Sequence, residues 1–149
     1  DFDFKAPVRV VVDRQLKTPT TAKLFSIAGE IIIVTETDNK ERISELENAG
    51  AKVVYFPAAE NWLHDVFSYL AKEEALNEIM VEAGATFAGA LIEQGLINEL
   101  IIYMAPLLLG DDANPLVKLK PLETLSEAKR LKLCDVRQVG NDLRYTLTV

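Results

Sequence analysis

Residues 76–96, LNEIMVEAGATFAGALIEQGL, decide how the rest of the chain is interpreted. The apolar residues 79–81 predict a buried strand, an acid and a glycine turn follow at residues 82–84, and the next residues predict a helix over 86–95. Such a corner directs unpaired backbone N–H groups and the positive end of the helix dipole at one point. Small side chains around the turn let a phosphate approach the backbone closely. The pattern therefore indicates either a phosphate site or a plain corner between a strand and a helix.

Composition narrows the class of protein. At 149 residues the chain fits one domain, residues 1–149, in which residues 1–6 read as a linker. The formal charge of −7 and the pI near 4.8 argue against nucleic-acid binding, which depends on clustered Lys and Arg. No apolar run approaches the length that spans a bilayer, so no membrane partner is expected. The one cysteine, Cys134, is expected to be a core or half-buried thiol, which is compatible with a cytoplasmic protein.

The first half of the chain alternates between strand and helix patterns. Unbroken apolar runs predict strands at residues 8–12, 31–35 and 51–56, as expected for strands that are covered on both faces. Helix patterns over residues 39–48 and 61–72 follow the second and third of these strands. Strand-then-helix units in series, completed by residues 76–96, predict right-handed crossovers and a mainly parallel sheet flanked by helices.

The end of the chain has a different pattern. Residues 99–105 (ELIIYMA) predict a strand, and residues 106–115 predict a loop bounded by proline and glycine. Alternating runs at 130–139 and 142–149 predict an antiparallel hairpin at one edge of the sheet. The predicted fold class is therefore α/β, a mainly parallel sheet flanked by helices with a C-terminal antiparallel hairpin. A long apolar strand near a sheet edge needs cover, either from a second copy, which predicts a homo-oligomer, or from the hairpin of this chain.

Two residues are candidates for binding. Glu82 stands between the predicted strand and the glycine turn, where packing does not explain an acid. It either caps backbone N–H groups of the turn or accepts hydrogen bonds from a polyol or amine beside the phosphate site, and the second interpretation is favoured. Arg14 follows the first strand and is either a fork-shaped donor for a phosphate or an exposed loop residue without such a role.

Other polar residues favour structural interpretations. His64 is the one histidine and lies in a predicted helix without a second metal ligand at a suitable spacing, so it is expected at the surface and no metal site is predicted. Asp111 and Asp112 follow a glycine in a loop, where Asp favours local backbone hydrogen bonds over acid–base chemistry.

Three runs of sequence resemble one family. Residues 81–113, VEAGATFAGALIEQGLINELIIYMAPLLLGDDA, closely resemble the C-terminal reductase domain of the bifunctional riboflavin-biosynthesis deaminase/reductase, which has a dihydrofolate-reductase-like fold. Residues 8–19 (VRVVVDRQLKTP) resemble an earlier block of that domain. The closing hairpin, residues 139–149, extends the resemblance over essentially the whole chain.

The resemblance implies an oxidoreductase. Family members reduce the ribosyl group of 5-amino-6-(5-phosphoribosylamino)uracil to a ribityl group, with NADPH as the hydride donor. Glu82 would then contact this phosphoribosylamino-pyrimidine substrate, and Arg14 stands where the family commonly has a serine that meets the cofactor. No side chain is assigned a chemical step. The residues implied to line the NADPH site are Gly84, Ala85, Thr86, Phe87, Ala88, Gly89 and Ala90.

The chain departs from the family at its start. Family members carry a further strand and substrate-binding segments before the block at residues 8–19, as well as a zinc-binding deaminase domain, and neither is found in these 149 residues. The resemblance therefore implies part of a reductase domain that binds NADPH poorly and turns over nothing by itself. A non-catalytic nucleotide-binding or assembly module derived from the same fold remains the alternative.

Overall fold

The structure is a computed structural model that describes residues 6–149. The chain divides into two compact units, the first ending at Asn77 and the second beginning at Glu78. Residues 1–5 of the linker predicted over residues 1–6 lie outside the described residues, and the single domain expected over residues 1–149 stays a prediction. None of the described helices is long and apolar enough to cross a bilayer.

The first unit is built on a parallel sheet. Strand β2 (Ile31–Thr35) lies between β1 (Arg9–Val12) and β3 (Lys52–Tyr55), and Ile33 is registered with Val11 on one side and Val53 on the other. Two helices of this unit follow β2 and β3, as the sequence predicted. The elements are β1 (Arg9–Val12), β2 (Ile31–Thr35), α1 (Lys40–Asn48), β3 (Lys52–Tyr55) and α2 (Trp62–Lys72), with a 3-10 turn at Lys23–Ser26.

The core of the first unit explains why the central strand is apolar throughout. All five residues of β2 are buried, because neighbouring strands flank both of its edges and both of its faces are covered. On one face, Ile31 and Ile33 pack with Leu46 of α1 and with Leu16 from the loop after β1. Leu16 reaches this core with a φ of +52°, so the loop is folded tightly at this residue.

The second unit contains one helix and an antiparallel sheet. Helix α3 spans Ala85–Glu93, and a 3-10 turn lies at Leu125–Glu127. Strand β6 (Asp142–Thr148) lies between β4 (Glu99–Met104) and β5 (Lys132–Val139). The fold class predicted from the sequence is confirmed, and the hairpin of β5 and β6 is joined to β4 in a sheet separate from the parallel one.

Two predicted features are wrong. Residues 79–81 form no strand in the described structure, and Met80 is 83% exposed, because an apolar run becomes a strand only when a neighbouring strand pairs with it. Cys134 is exposed rather than buried. It falls at a bulge, since Leu133 is registered with Leu147 while the next registered residue is Asp135 with Thr146.

Candidate functional site

The N-terminus of α3 is open. Gly84 occupies the N-cap position, and no side chain caps the helix within the described residues. The first helical hydrogen bond runs from the Ala88 N–H to the Gly84 carbonyl at 3.1 Å, so the N–H groups of residues 85–87 have no acceptor within the helix. A Cβ placed on Gly84 would meet nothing within 4 Å. The predicted helix is thus confirmed, whereas residues 82–84 form no turn in the described structure, and this helix end can accept an anion.

One face of α3 is covered by another segment of the second unit. The Lys118 N–H donates to the Ala85 carbonyl at 3.0 Å, and the Lys120 N–H donates to the Glu93 carboxylate at 2.6 Å. Between these contacts, a Cβ on Gly89 would lie 1.8 Å from the Lys118 carbonyl oxygen. Packing therefore explains the glycine at position 89, and no direct contact with a ligand is needed to account for it.

Glu82 and the predicted cofactor segment, residues 84–90, differ in exposure. Glu82, Gly84 and Thr86 are exposed, while the other members of the predicted cofactor segment are half-buried apart from buried Gly89. The N-cap position of α3 is Gly84, and no backbone N–H of the described residues donates to the Glu82 carboxylate. Glu82 therefore does not act as a cap in the described structure, and the contact of Glu82 with a substrate stays a prediction.

Arg14 lies in the first unit, directly after the carboxyl end of β1. Its Nη2 atom is 2.6 Å from Glu36 Oε2, and its guanidinium carbon is 5.8 Å from the centre of the Trp62 ring. The Arg14 side chain is nevertheless 63% exposed, whereas that of Glu36 is 13% exposed. The guanidinium is thus held from two sides and open to solvent on the others.

The loop that carries Arg14 is tied to its surroundings. The Arg14 carbonyl accepts hydrogen bonds from the Thr35 hydroxyl at 3.1 Å and from the Glu36 N–H at 3.2 Å. Asp13 Oδ2 accepts from both the N–H and the hydroxyl of Thr18, each at 2.6 Å. Burial alone would raise the pKa of Asp13, but these hydrogen bonds and those from neighbouring N–H groups outweigh it and lower the pKa below its usual 3.8.

Glu36 and Trp62 were missed by the sequence analysis as partners of Arg14. Trp62 anchors α2, since it is 4% exposed and its Nε1–H donates to the Phe56 carbonyl at 3.1 Å. A usable signal was present for Glu36, because it follows β2 as Arg14 follows β1. The carboxyl ends of neighbouring parallel strands lie at the same edge of a sheet.

The polar residues interpreted as structural lie at the surface. His64 is exposed on α2, as predicted. Asp111 and Asp112 are exposed in a turn, which the Ala113 N–H closes by donating to the Gly110 carbonyl at 3.0 Å, and the structural interpretation of their carboxylates stays a prediction.

A solved structure places this fold in a known class. RibD from Acinetobacter baumannii matches 94% of this chain and 37% of its own with a TM-score of 0.82 and 30% sequence identity. The chain therefore has the mixed α/β fold of a riboflavin-biosynthesis reductase domain.

Sequence comparisons make the assignment more specific. The RibD C-terminal domain model matches residues 2–145. The riboflavin biosynthesis protein RibD of Haemophilus influenzae is 35% identical over 97% of this chain, and the chain spans 37% of its length. A Buchnera aphidicola protein named 5-amino-6-(5-phosphoribosylamino)uracil reductase is 30% identical over 97% of the chain, which covers 69% of that protein. The chain belongs to the RibD C-terminal domain family, which confirms the predicted resemblance.

Proposed function

We propose that this chain forms part of an NADPH-dependent reductase that converts 5-amino-6-(5-phosphoribosylamino)uracil into its ribityl form. The observation that carries the proposal is the open N-terminus of α3 in a chain that is 30% identical to a protein named as that reductase. The named activity belongs to the relatives and is proposed for this chain, which spans only 37% of the length of the H. influenzae RibD protein.

The residues present fit a nucleotide cofactor. The N–H groups of residues 85–87, which have no acceptor in the part of the chain that the structure describes, suit phosphate oxygens, and the space beside Gly84 lets them approach. Arg14 offers exposed guanidinium donors to a phosphate. We therefore propose that Arg14 and residues 84–90 contact NADPH, with the segment at Lys118 covering the face of α3 at Gly89.

The bound cofactor would supply the hydride, and the chain would bind and orient its partners. The exposed carboxylate of Glu82 is proposed to accept hydrogen bonds from a hydroxyl or amine of the phosphoribosylamino-pyrimidine. Backbone N–H groups of α3 would hold phosphate through the helix dipole, which needs no titratable side chain.

The test compares two forms of the protein. The protein as its own gene encodes it, called the gene-encoded protein below, should oxidise NADPH when the pyrimidine substrate is added. The loss of NADPH absorbance measures this oxidation. Residues 1–149 alone are expected to bind NADPH poorly and to show no turnover. Tight NADPH binding without turnover in the gene-encoded protein would instead support the non-catalytic module, and robust turnover by residues 1–149 would refute the expectation for the isolated chain.

The Glu82→Gln variant tests the substrate contact. A lost charge-assisted hydrogen bond corresponds to about a tenfold or greater loss of kcat/KM for the pyrimidine. The KM for NADPH should change much less, because the proposed role of Glu82 concerns the substrate. The matched control is Asp111→Asn, which removes an exposed carboxylate from a turn and should leave both constants unchanged. A kcat/KM that Glu82→Gln does not alter would remove Glu82 from the site.

A further inference from the structure

Two arginines face each other on the antiparallel sheet of the second unit. Arg144 of β6 is registered with Arg137 of β5 on one side and with Tyr103 of β4 on the other. Directly opposite residues of antiparallel strands have their side chains on the same face, so these three side chains form one row across the sheet. This arginine row, residues 103, 144 and 137, has no part in the proposed reductase chemistry.

The arginine row carries more positive charge than its neighbours offset. Arg137 Nε lies 2.8 Å from Asp135 Oδ2, so this carboxylate offsets one of the two guanidinium groups. Among the described residues no carboxylate pairs with Arg144, whose Nη2 atom donates to the neutral Thr146 hydroxyl at 3.2 Å. Like charges directly opposite each other destabilise a sheet, so an anion between the two arginines would be favourable.

Partial burial increases the need of Arg144 for a counter-charge. The residue is half-buried, and its Nε atom is buried without a hydrogen-bond partner in the described part of the chain. No aromatic ring among residues 6–149 stacks on its guanidinium, so a cation–π contact does not compensate the charge. A partly buried charge is screened less by water than an exposed one, and buried charges in proteins are normally paired. Charge repulsion and burial therefore both favour binding of an anion at this row.

We propose that the arginine row binds a phosphate, either inorganic phosphate or the phosphate group of a monoester. A tetrahedral phosphate has oxygens for two guanidinium forks at once, whereas a carboxylate has two coplanar oxygens that match a single fork. The Arg137 side chain is 57% exposed and Tyr103 is 59% exposed, so a ligand can approach the row from solvent. The Tyr103 hydroxyl would add a neutral donor. The inference does not rest on the proposed function.

Calorimetry on the gene-encoded protein tests the proposal with three small probes at matched ionic strength. Inorganic phosphate and ribose 5-phosphate represent the two sources of the phosphate group, and acetate represents a carboxylate. Both phosphates should bind, and acetate should bind more weakly than either. Tighter binding of ribose 5-phosphate would identify a monoester as the ligand, and tighter binding of inorganic phosphate would identify the free anion.

Variants assign the binding to the arginine row. Arg144→Gln should weaken phosphate binding about tenfold or more, as expected for the loss of a charge-assisted hydrogen bond. Arg144→Lys keeps the charge and loses the fork, so it should weaken binding severalfold. The matched control is Arg130→Gln, which removes an exposed arginine shortly before β5 and should leave the affinity unchanged.

Thermal unfolding provides a second measurement on the same proteins. Replacing chloride by phosphate at matched ionic strength should raise the melting temperature of the unmodified protein and of Arg130→Gln, because the anion binds the folded state. The melting temperature of Arg144→Gln should rise much less. This variant is expected to fold, because it removes one of two like charges that face each other.

Three results would overturn the proposal. The first is a gene-encoded protein that binds neither phosphate, or whose binding Arg144→Gln leaves unchanged. The second is equal affinity for acetate and phosphate, which would overturn the choice of phosphate. The third is binding that Arg14→Gln abolishes and Arg144→Gln retains, since it would belong to the proposed cofactor contact. The titrations contain neither NADPH nor the pyrimidine, so an Arg144-dependent affinity stands whether or not the protein is a reductase.

Discussion

At the scale of single residues, Gly89 belongs to the predicted cofactor segment and is also required for packing. Its Cα faces the backbone of Lys118, and an added methyl group would lie 1.8 Å from the Lys118 carbonyl oxygen. The obstacle is backbone that is also hydrogen-bonded to Ala85, so it cannot rotate away as a flexible side chain would. The glycine therefore permits α3 and the segment at Lys118 to approach each other.

The Gly89→Ala variant should be strongly destabilised. We expect a loss of about 2 kcal/mol or more in the free energy of unfolding, because either the helix or the segment must shift. Denaturant unfolding measured by circular dichroism gives the value. Gly84→Ala is the matched control, since a Cβ there meets nothing within 4 Å and its φ of −71° suits alanine. Equal stability of Gly89→Ala and the unmodified chain would contradict the packing role.

Asp13 gives the first unit an acid-sensitive contact. Its lowered pKa means that its contribution to stability is present above pH 3.8 and is lost as the pH falls through the lowered value. Asp13→Asn should reduce the free energy of unfolding by about 1–2 kcal/mol at neutral pH, through weaker hydrogen bonds to Thr18.

The pH series tests the origin of that loss. The difference between Asp13→Asn and the unmodified chain should stay constant above about pH 5 and shrink as the pH falls below 3.8. Asp112→Asn removes the same charge from an exposed turn and serves as the control. A difference that does not change with pH would show that the Asp13 carboxylate makes no pH-dependent contribution.

At the scale of elements, an ion pair joins β3 to the residues after α2. Lys52 Nζ lies 2.6 Å from Glu74 Oε1, and the Tyr69 hydroxyl donates to the same oxygen. The hydrogen bond to Glu74, followed by the contact with Tyr69, raises the pKa of Lys52 to about 12. The contact therefore stabilises the fold below the usual lysine pKa of 10.5 and is lost as the pH rises toward 12.

Alkaline unfolding tests this coupling. The melting temperature of the unmodified chain should fall more between pH 10.5 and 12 than that of Lys52→Met, which lacks the titrating group. Lys72→Met, which removes an exposed lysine from the last turn of α2, should keep the fall of the unmodified chain. Identical pH profiles for Lys52→Met and the unmodified chain would contradict a stabilising role for the pair.

Elements were predictable where local sequence is sufficient. Strand β2 occupies residues 31–35 as predicted, because an unbroken apolar run fits a strand buried on both faces. Helix α1 is bounded by Asn39, which accepts from the Arg42 N–H, and by Gly50 with a φ of +103°, and both signals are legible in sequence. Residues 79–81 carry the same apolar signal as β2 but have no pairing strand among residues 6–149, and local sequence does not reveal strand pairing.

At the scale of the whole molecule, exposed apolar residues concentrate in the second unit. Strand β4 is an edge of the antiparallel sheet as far as the structure describes it, and Ile101, Tyr103 and Met104 are each more than 45% exposed. Edge strands with apolar side chains tend to pair with further strands. The predicted homo-oligomer is consistent with this edge and stays a prediction.

Sedimentation measures whether β4 mediates association. We expect the mass of the gene-encoded protein to rise with concentration to a multiple of the monomer mass, and Ile101→Lys to shift the equilibrium toward monomer by placing a charge on the edge. Lys132→Glu, a charge change on the exposed start of β5, is the control. A monomer at all concentrations, or an unchanged mass in Ile101→Lys, would rule out association through this strand.

The candidate site was only partly predictable from the sequence. Local pattern identified the unusual residues of the site, which are Arg14, Glu82 and the glycine at the open N-terminus of α3, Gly84. The pairing of Glu36 with Arg14 was missed because 21 intervening residues separate them, and the available signal was that each follows a predicted strand; the register of β1 with β2 brings them together. Trp62 has two roles, as an anchor and as a surface for the guanidinium, and the helical pattern reveals only the first.

The tightly folded loop between Asp13 and Thr18 has a kinetic consequence. Leu16 fixes it from inside the core, and Arg42 fixes it from outside by donating to the carbonyls of Leu16 and Thr18. We therefore expect a ligand to reach Arg14 without a preceding slow rearrangement of this loop. Stopped-flow mixing should therefore give one exponential whose rate increases in proportion to ligand concentration, without the plateau that marks a closing lid.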